Sequence, residues 1–218
     1  MKSTIRSVTF DLDGTLLDTI PDLADAANAM LRELGRDELP VATLGTYVGR
    51  GIPNLVSRCL PDLTGEALEA AQAVFRHHYA QTNGRASAPF AGVMDGLARF
   101  RAAGLPMAVI TNKAAAFTGP LLAATGLAPW FAFAVSGDTL PEKKPHPLPL
   151  LHACERLGTS PGENLHVGDS KHDAAAARAA GCPVFLVPYG YNEGEDVRGI
   201  DCDAIVASLA EAAERLGC

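Results

Sequence analysis

The half of the chain after Pro89 is what most narrows the possible folds, because short apolar runs there alternate with amphipathic helical stretches. Val93 to Ala103 carries a helical pattern closed by Gly104, and Met107 to Ile110 reads as a strand. Ala114 to Ala124 is helical, Phe131 to Val135 a strand, and Leu148 to Leu157 helical. Leu165 to Val167 and Val184 to Val187 are further strands on either side of a helix over Asp173 to Ala180. Such alternation predicts a parallel sheet, since a parallel connection needs a crossover long enough to hold a helix. One more strand stands far upstream, Ser7-Val-Thr-Phe-Asp-Leu12, and stops abruptly at Asp13-Gly14-Thr15.

Between these parts the pattern is helical only. Ile20, Leu23, Ala24, Ala27, Leu31 and Leu34 share one face, with Thr19, Pro21 and Asp22 as start signals and Gly35 as a stop. Helical stretches continue to about Tyr79, broken at Gly49-Arg50-Gly51 and at Pro61. The expected architecture is therefore α/β: a Rossmann-like parallel-sheet core over 1–18 and 86–218, holding a helical cap inserted over 19–85.

Composition sets outer limits. A chain of 218 residues that is 48% hydrophobic and 20% charged has the makeup of an ordinary globular protein. Its net charge of -7 argues against nucleic acid or an anionic membrane surface as partner. A small anionic ligand remains compatible, because a bound cation can reverse the local potential. The apolar runs are too short for a membrane span, and the early strand leaves little room for a secretory signal. The five cysteines form no CxxC pair and read as reduced thiols, so a cytoplasmic protein, monomer or homodimer, is expected.

Ligands of an open parallel sheet bind beyond the C-terminal strand ends, and here those ends are polar in a particular way. They read Asp11-Leu-Asp13-Gly-Thr15, Thr111-Asn112-Lys113 and Gly168-Asp169-Ser170-Lys171-His172-Asp173, with Lys143-Lys144-Pro145 in the loop after the Phe131 to Val135 strand. Singly, each has an ordinary reading as a turn, a helix cap or a loop. Together and in this order they suit phosphoryl transfer. An aspartate such as Asp11 can attack phosphorus and split hydrolysis into two displacements. Nucleophile and phosphate repel each other, so a divalent cation must bridge them, and Asp11 and Asp169 can supply hard oxygen ligands for Mg²⁺. Asp13 can protonate the leaving oxygen and later deprotonate water. Thr111, Asn112 and Lys144 can neutralise the equatorial oxygens, while Asp173, with Ser170 beside it, can orient Lys144 or a metal-bound water.

These four segments resemble the motifs of the haloacid dehalogenase superfamily, in the subfamily with a helical cap after the first motif. The resemblance implies Asp11 as nucleophile, Asp13 as general acid/base and Lys144, preceding proline, as the motif lysine. It also implies Mg²⁺ held by the side chains of Asp11 and Asp169 and the carbonyl of Asp13. Asp13 favours phosphatase over dehalogenase chemistry, and the cap lacks the lysine that phosphonatases use. Thr46-Tyr-Val-Gly-Arg50-Gly51, together with Ile110-Thr-Asn-Lys113 and Lys144-Pro-His-Pro147, is similar to bacterial phosphoglycolate phosphatases. That similarity implies 2-phosphoglycolate as substrate, with Arg50 or Lys113 as candidate reader of its carboxylate. A broader phosphatase of sugar phosphates, nucleotides or pyrophosphate, or an idle phospho-ligand sensor, is the alternative. His172 reads as a surface histidine.

Overall fold

The structure, a computed structural model, describes residues 5–218, so residues 1–4 of the expected core segment lie outside the described residues. In chain order its elements are β1 (Ser7–Phe10), β2 (Leu17–Asp18), α1 (Ile20–Glu33), α2 (Val41–Gly45), α3 (Ile52–Cys59), α4 (Gly65–Thr82) and β3 (Ala88–Pro89). There follow α5 (Val93–Ala102), β4 (Met107–Ile110), α6 (Ala115–Ala124), β5 (Phe133–Val135), α7 (Leu148–Leu157), β6 (Asn164–Gly168), α8 (Lys171–Ala180), β7 (Val184–Leu186), β8 (Ala204–Ile205) and α9 (Leu209–Leu216).

Six strands form one sheet in the order β5-β4-β1-β6-β7-β8, and every neighbouring pair is parallel. From β1 the chain winds outward through β4 to β5, then returns to β6 and winds the other way. The sense of winding therefore reverses beside β1, which is where an open α/β sheet leaves a crevice for ligands. The register brings the functional strand ends together: Phe10 lies opposite both Val109 of β4 and Val167 of β6.

Successive side chains of a strand face opposite ways, and here the two faces differ in kind. Val8, Phe10, Val109, Leu165 and Val167 join α5 and α9 through Val93, Leu97, Phe100 and Leu209 in one apolar cluster. On the other face, α7 and α8 pack against β7 through Leu150, Cys154, Ala177 and Leu186. On β1 and β6, however, the residues of that second face are Ser7, Thr9, Asn164 and His166, all buried. Central strands of a parallel sheet ordinarily carry aliphatic residues on both faces, so this polar row is a departure.

The helices α1 to α4 enclose their own apolar cluster, with Leu23, Met30, Leu31, Val56 and Phe75 at its centre and Phe117 of α6 reaching in from the sheet side. The chain enters and leaves this helical insert side by side, as the antiparallel ribbon β2–β3 with Leu17 opposite Pro89 and Asp18 opposite Ala88. Asp22 staples the returning strand. Its carboxylate accepts hydrogen bonds from the backbone N–H groups of Gly84, Ala86 and Ser87 and from the Ser87 hydroxyl.

Sequence periodicity anticipates most of these elements but not β2, β3, β8 or α9. Strands of two residues have no period to detect. Helix α9 did leave a signal, since Ser208 caps it by accepting from the Glu211 N–H, the Ser-x-x-Glu spacing of a helix start. No helix among the described residues is long and apolar enough to cross a membrane.

Candidate active site

Strand β1 delivers Asp11, whose N–H extends the pairing by donating to Val167 O at 2.9 Å. Strand β6 delivers Asp169 and runs directly into α8, where Ser170 is the N-cap and Asp173 stands in the first turn. The Ser170 N–H and hydroxyl both donate to Asp173 Oδ2, at 3.1 and 2.6 Å. Lys144, from the loop before α7, is buried between the two strand ends. Its Nζ lies 2.7 Å from Asp11 Oδ1 and 2.6 Å from Asp173 Oδ1. Burial alone would lower the Lys144 pKa, but Asp11 and Asp173 outweigh it and hold the ammonium above its ordinary range. Burial would likewise raise Asp173, yet Lys144 and His166 keep it ionised.

Asp169 is held from two sides: the Thr15 hydroxyl donates to Oδ1 at 3.1 Å and the Tyr191 N–H to Oδ2 at 2.6 Å. Burial, with Asp173 adding repulsion, pushes Asp169 up to about 7. Burial also raises Asp11, against the pull of Lys144. Three glycines make room for these acids, Gly14 among them, where a Cβ would also meet the Asp169 carboxylate. A Cβ at Gly190 would run into the Asp169 carboxylate, and one at Gly168 into that of Asp173.

One oxygen from each of Asp11, Asp169 and Asp173 falls within a 4.8 Å cluster. The oxygens of Asp173 are committed to Lys144, His166 and Ser170, which leaves Asp11 and Asp169 as the pair open to a cation. Two buried carboxylates of raised pKa, with no sulfur or imidazole donor between them, suit a hard divalent ion better than zinc.

Asp13 sits one turn further on. Its Oδ1 accepts from the Thr19 hydroxyl at 2.7 Å and faces Lys113 Nζ at 3.0 Å. Lys113 also donates to the Tyr79 hydroxyl at 2.7 Å, joining strand end to insert. Burial opposes the Lys113 charge, but Asp13 and Tyr79 more than offset it. The Thr111 hydroxyl accepts from the Lys113 N–H at 3.1 Å. Asn112 Nδ2 donates to Gly49 O and to Lys144 O, both at 3.0 Å, and its buried Oδ1 has no partner. These groups border a chamber roofed by Leu23, Val48, Ile52, Leu55 and Tyr79 of the insert, with a free volume of about 40 Å³. That is room for about one water molecule, so the chamber in this state is tighter than a larger ligand needs.

The model of the family described as haloacid dehalogenase-like hydrolases matches residues 5–181. The chain belongs to that family. This hydrolase is 55% identical over 213 residues to a phosphoglycolate phosphatase of Nitrosospira multiformis, covering 95% of this chain and 94% of the relative. It is 54% identical over 214 residues to one of Thiobacillus denitrificans, covering 96% and 94%. Among solved structures it is similar to that of a predicted phosphoglycolate phosphatase from Haemophilus somnus 129PT, with a TM-score of 0.93, 30% identity and 99% of each chain covered.

In this member of the haloacid dehalogenase-like hydrolases, the structure brings Asp11, Asp13, Thr111, Asn112, Lys113, Lys144, Asp169, Ser170 and Asp173 to one crevice. Arg50 stands apart. Its side chain is about half exposed, reaches no closer than 4.0 Å to Glu193, and lines an outer cleft with Lys143 and His146 rather than the chamber. What the Gly49–Gly51 loop contributes is backbone: Gly49 O is held by Asn112, and Arg50 O by Lys143 Nζ at 2.9 Å. His172 is buried rather than at the surface, with Nε2 in no hydrogen bond and 3.8 Å from Glu193 Oε1. Sequence reasoning missed Tyr79 and Tyr191. The Tyr191 hydroxyl accepts from Thr19 N–H at 2.7 Å and donates to Asp18 at 2.8 Å, so one residue touches both Asp169 and the ribbon into the insert. Neither tyrosine lies in a motif, so only the fold could assemble them.

Proposed function

We propose that this hydrolase cleaves 2-phosphoglycolate to glycolate and phosphate through an aspartyl-phosphate on Asp11. The observation that carries the reading is Lys144 held between Asp11 and Asp173, with a second carboxylate, Asp13, two residues along on the same chamber wall. The names of the relatives support the substrate. So does the chamber, whose remaining charged lining group is the cation Lys113 amid apolar side chains, a setting for a short tail with one carboxylate.

Asp11 and Asp169, with the carbonyl of Asp13, would hold Mg²⁺, which supplies charge neutralisation between nucleophile and phosphate. Lys144 opposes the effect of burial by favouring the ionised form of Asp11, orients it, and its ammonium faces the oxygens of the transferring group. A carboxylate oxygen of Asp11 forms a bond to phosphorus as the ester P–O bond breaks, and Asp13 gives its proton to the departing glycolate oxygen. Asp13 then removes a proton from water as that water attacks phosphorus, releasing phosphate and restoring Asp11. The insert shuts bulk water out. Lys113 passes from Asp13 to the substrate carboxylate, and Tyr79 steadies it.

The test is phosphate release from a panel of phosphomonoesters, with Mg²⁺ and with EDTA. The expected result is 2-phosphoglycolate leading in kcat/KM by about tenfold or more, a difference of about 1.4 kcal/mol, with EDTA stopping the reaction. Equal cleavage of several esters would leave the chemistry and remove the substrate; no cleavage would remove both.

A further inference from the structure

A row of polar side chains, most of them buried, runs through the sheet behind the site and is linked by hydrogen bonds from end to end. Thr159 Oγ1 lies 2.8 Å from Ser7 Oγ, and Ser7 donates to Asn164 Oδ1 at 2.8 Å. Asn164 Nδ2 donates to Thr9 Oγ1 at 3.0 Å, and that hydroxyl lies 3.0 Å from His166 Nδ1. The other ring nitrogen, Nε2, lies 3.1 Å from Asp173 Oδ1. An ionised carboxylate can only accept, so Nε2 carries the proton; in the neutral ring Nδ1 is then the acceptor facing the Thr9 hydroxyl. The Thr9 hydroxyl also lies 3.5 Å from Leu165 O, and burial holds the His166 pKa below its ordinary value, so the neutral Nε2–H tautomer is favoured over the imidazolium.

The end of the row is where it meets the chemistry. Asp173 Oδ1 takes two donors, His166 Nε2 and Lys144 Nζ, while Oδ2 is held by Ser170. A carboxylate oxygen that already accepts from an imidazole binds an ammonium less strongly than one that has it alone. Lys144 is therefore left divided between Asp173 and Asp11 instead of collapsing onto Asp173. A leucine at 166 would fill this space without the cost of desolvating an imidazole, so packing alone does not account for the residue.

Building on the aspartyl-phosphate reading above, we propose that His166 is a positioning residue for the reaction: its Nε2–H restrains Asp173 so that Lys144 stands against Asp11. His166 touches no reacting atom; it acts through Asp173.

Two variants separate this role from packing. In His166→Asn the amide occupies the place of Nδ1, meeting Thr9 but falling short of Asp173; in His166→Gln it reaches the place of Nε2 and can donate. With Mg²⁺ and 2-phosphoglycolate, His166→Asn is expected to lower kcat about 10- to 100-fold at nearly unchanged KM, as loss of an outer-shell partner does. His166→Gln is expected to stay within about threefold of the wild type, roughly 0.7 kcal/mol. Equal losses in both variants, or a His166→Asn kcat within about twofold of wild type, overturn the proposal. Should His166→Asn fail to fold, ¹⁵N NMR of the wild-type imidazole decides: an Nε2–H tautomer is expected, and an Nδ1–H tautomer or an imidazolium overturns it. A wild type inactive on every ester strikes the phosphatase reading instead, and the tautomer measurement, which needs no turnover, still passes or fails the assignment of His166.

Discussion

The two apolar cores of the molecule do different work. The cluster around Phe10, Phe100 and Leu209 fixes the strand ends on which nearly all the charged chemistry stands. The cluster around Met30, Val56 and Phe75 fixes a roof, and what that roof presents to the chamber is aliphatic side chains, backbone carbonyls and a single hydroxyl, that of Tyr79. Carboxylates that must hold their spacing to a few tenths of an ångström sit at the ends of parallel strands that pairing holds on both sides. The surface that would move on the proposed closure sits on helices joined to the sheet by two adjacent crossings. On the proposed mechanism, rate would belong to the sheet side, whereas selection and closure would belong to the insert.

Substitutions on the two sides should therefore fail differently. The largest effect is expected from the sheet: Asp11→Asn should lower kcat by about 1000-fold or more, over 4 kcal/mol of lost transition-state stabilisation. Its circular dichroism should stay native, and retention of about a tenth of the wild-type rate would dissolve the covalent mechanism. Next comes the staple of the insert. Asp22→Ala strips the acceptor from three part-buried N–H groups, each hydrogen bond to the charged carboxylate worth about 1 kcal/mol or more. Differential scanning calorimetry should show Tm lower by about 6 to 12 °C, the scale expected of about 3 kcal/mol in a chain of this size. An unchanged Tm would mean that the linker is anchored elsewhere.

A smaller, more selective effect is expected at the roof. Tyr79→Phe should lower kcat/KM for 2-phosphoglycolate about tenfold, the loss of one hydrogen bond to a charged group of about 1.5 kcal/mol, and leave a neutral alkyl phosphate nearly unaffected. Equal losses on both substrates would place Tyr79 in the chemistry and erase the division of labour. The smallest effect should come from Arg50→Ala, below about twofold on either substrate, because a half-exposed arginine 4.0 Å from its partner contributes little. A selective rise in KM there would mean that the loop turns its side chain inward with substrate bound.

What the sequence made legible follows the same line. Asp11, Asp13 and Asp169 were readable because each follows closely on a strand end, and strand ends show as breaks in hydropathy, whereas Lys144 was singled out as the lysine preceding a proline in the long loop after β5. Asp22 was visible only as a helix-start residue, since its partners at Gly84 to Ser87 come from the far end of the insert. The polar row was written in plain alternation, Ser7-Val-Thr9-Phe and Asn164-Leu-His166-Val, but alternation on a strand ordinarily announces a solvent-facing side. Arg50 drew attention for its charge between two glycines, although the fold uses that loop for its carbonyls. A charge can be read from a sequence, whereas the direction in which it points cannot.

Gly168 and Gly190 press this further. Each leaves no space for even a methyl group beside an acid of the site, so the gap is as much a part of the machinery as the carboxylate it admits. In a library of single substitutions selected for turnover, these two codons should be as intolerant as those of the acids they adjoin, though neither residue has a side chain to react. Loss of activity at such positions would record crowding, and no assay of nucleophiles or metal ligands would reveal its cause.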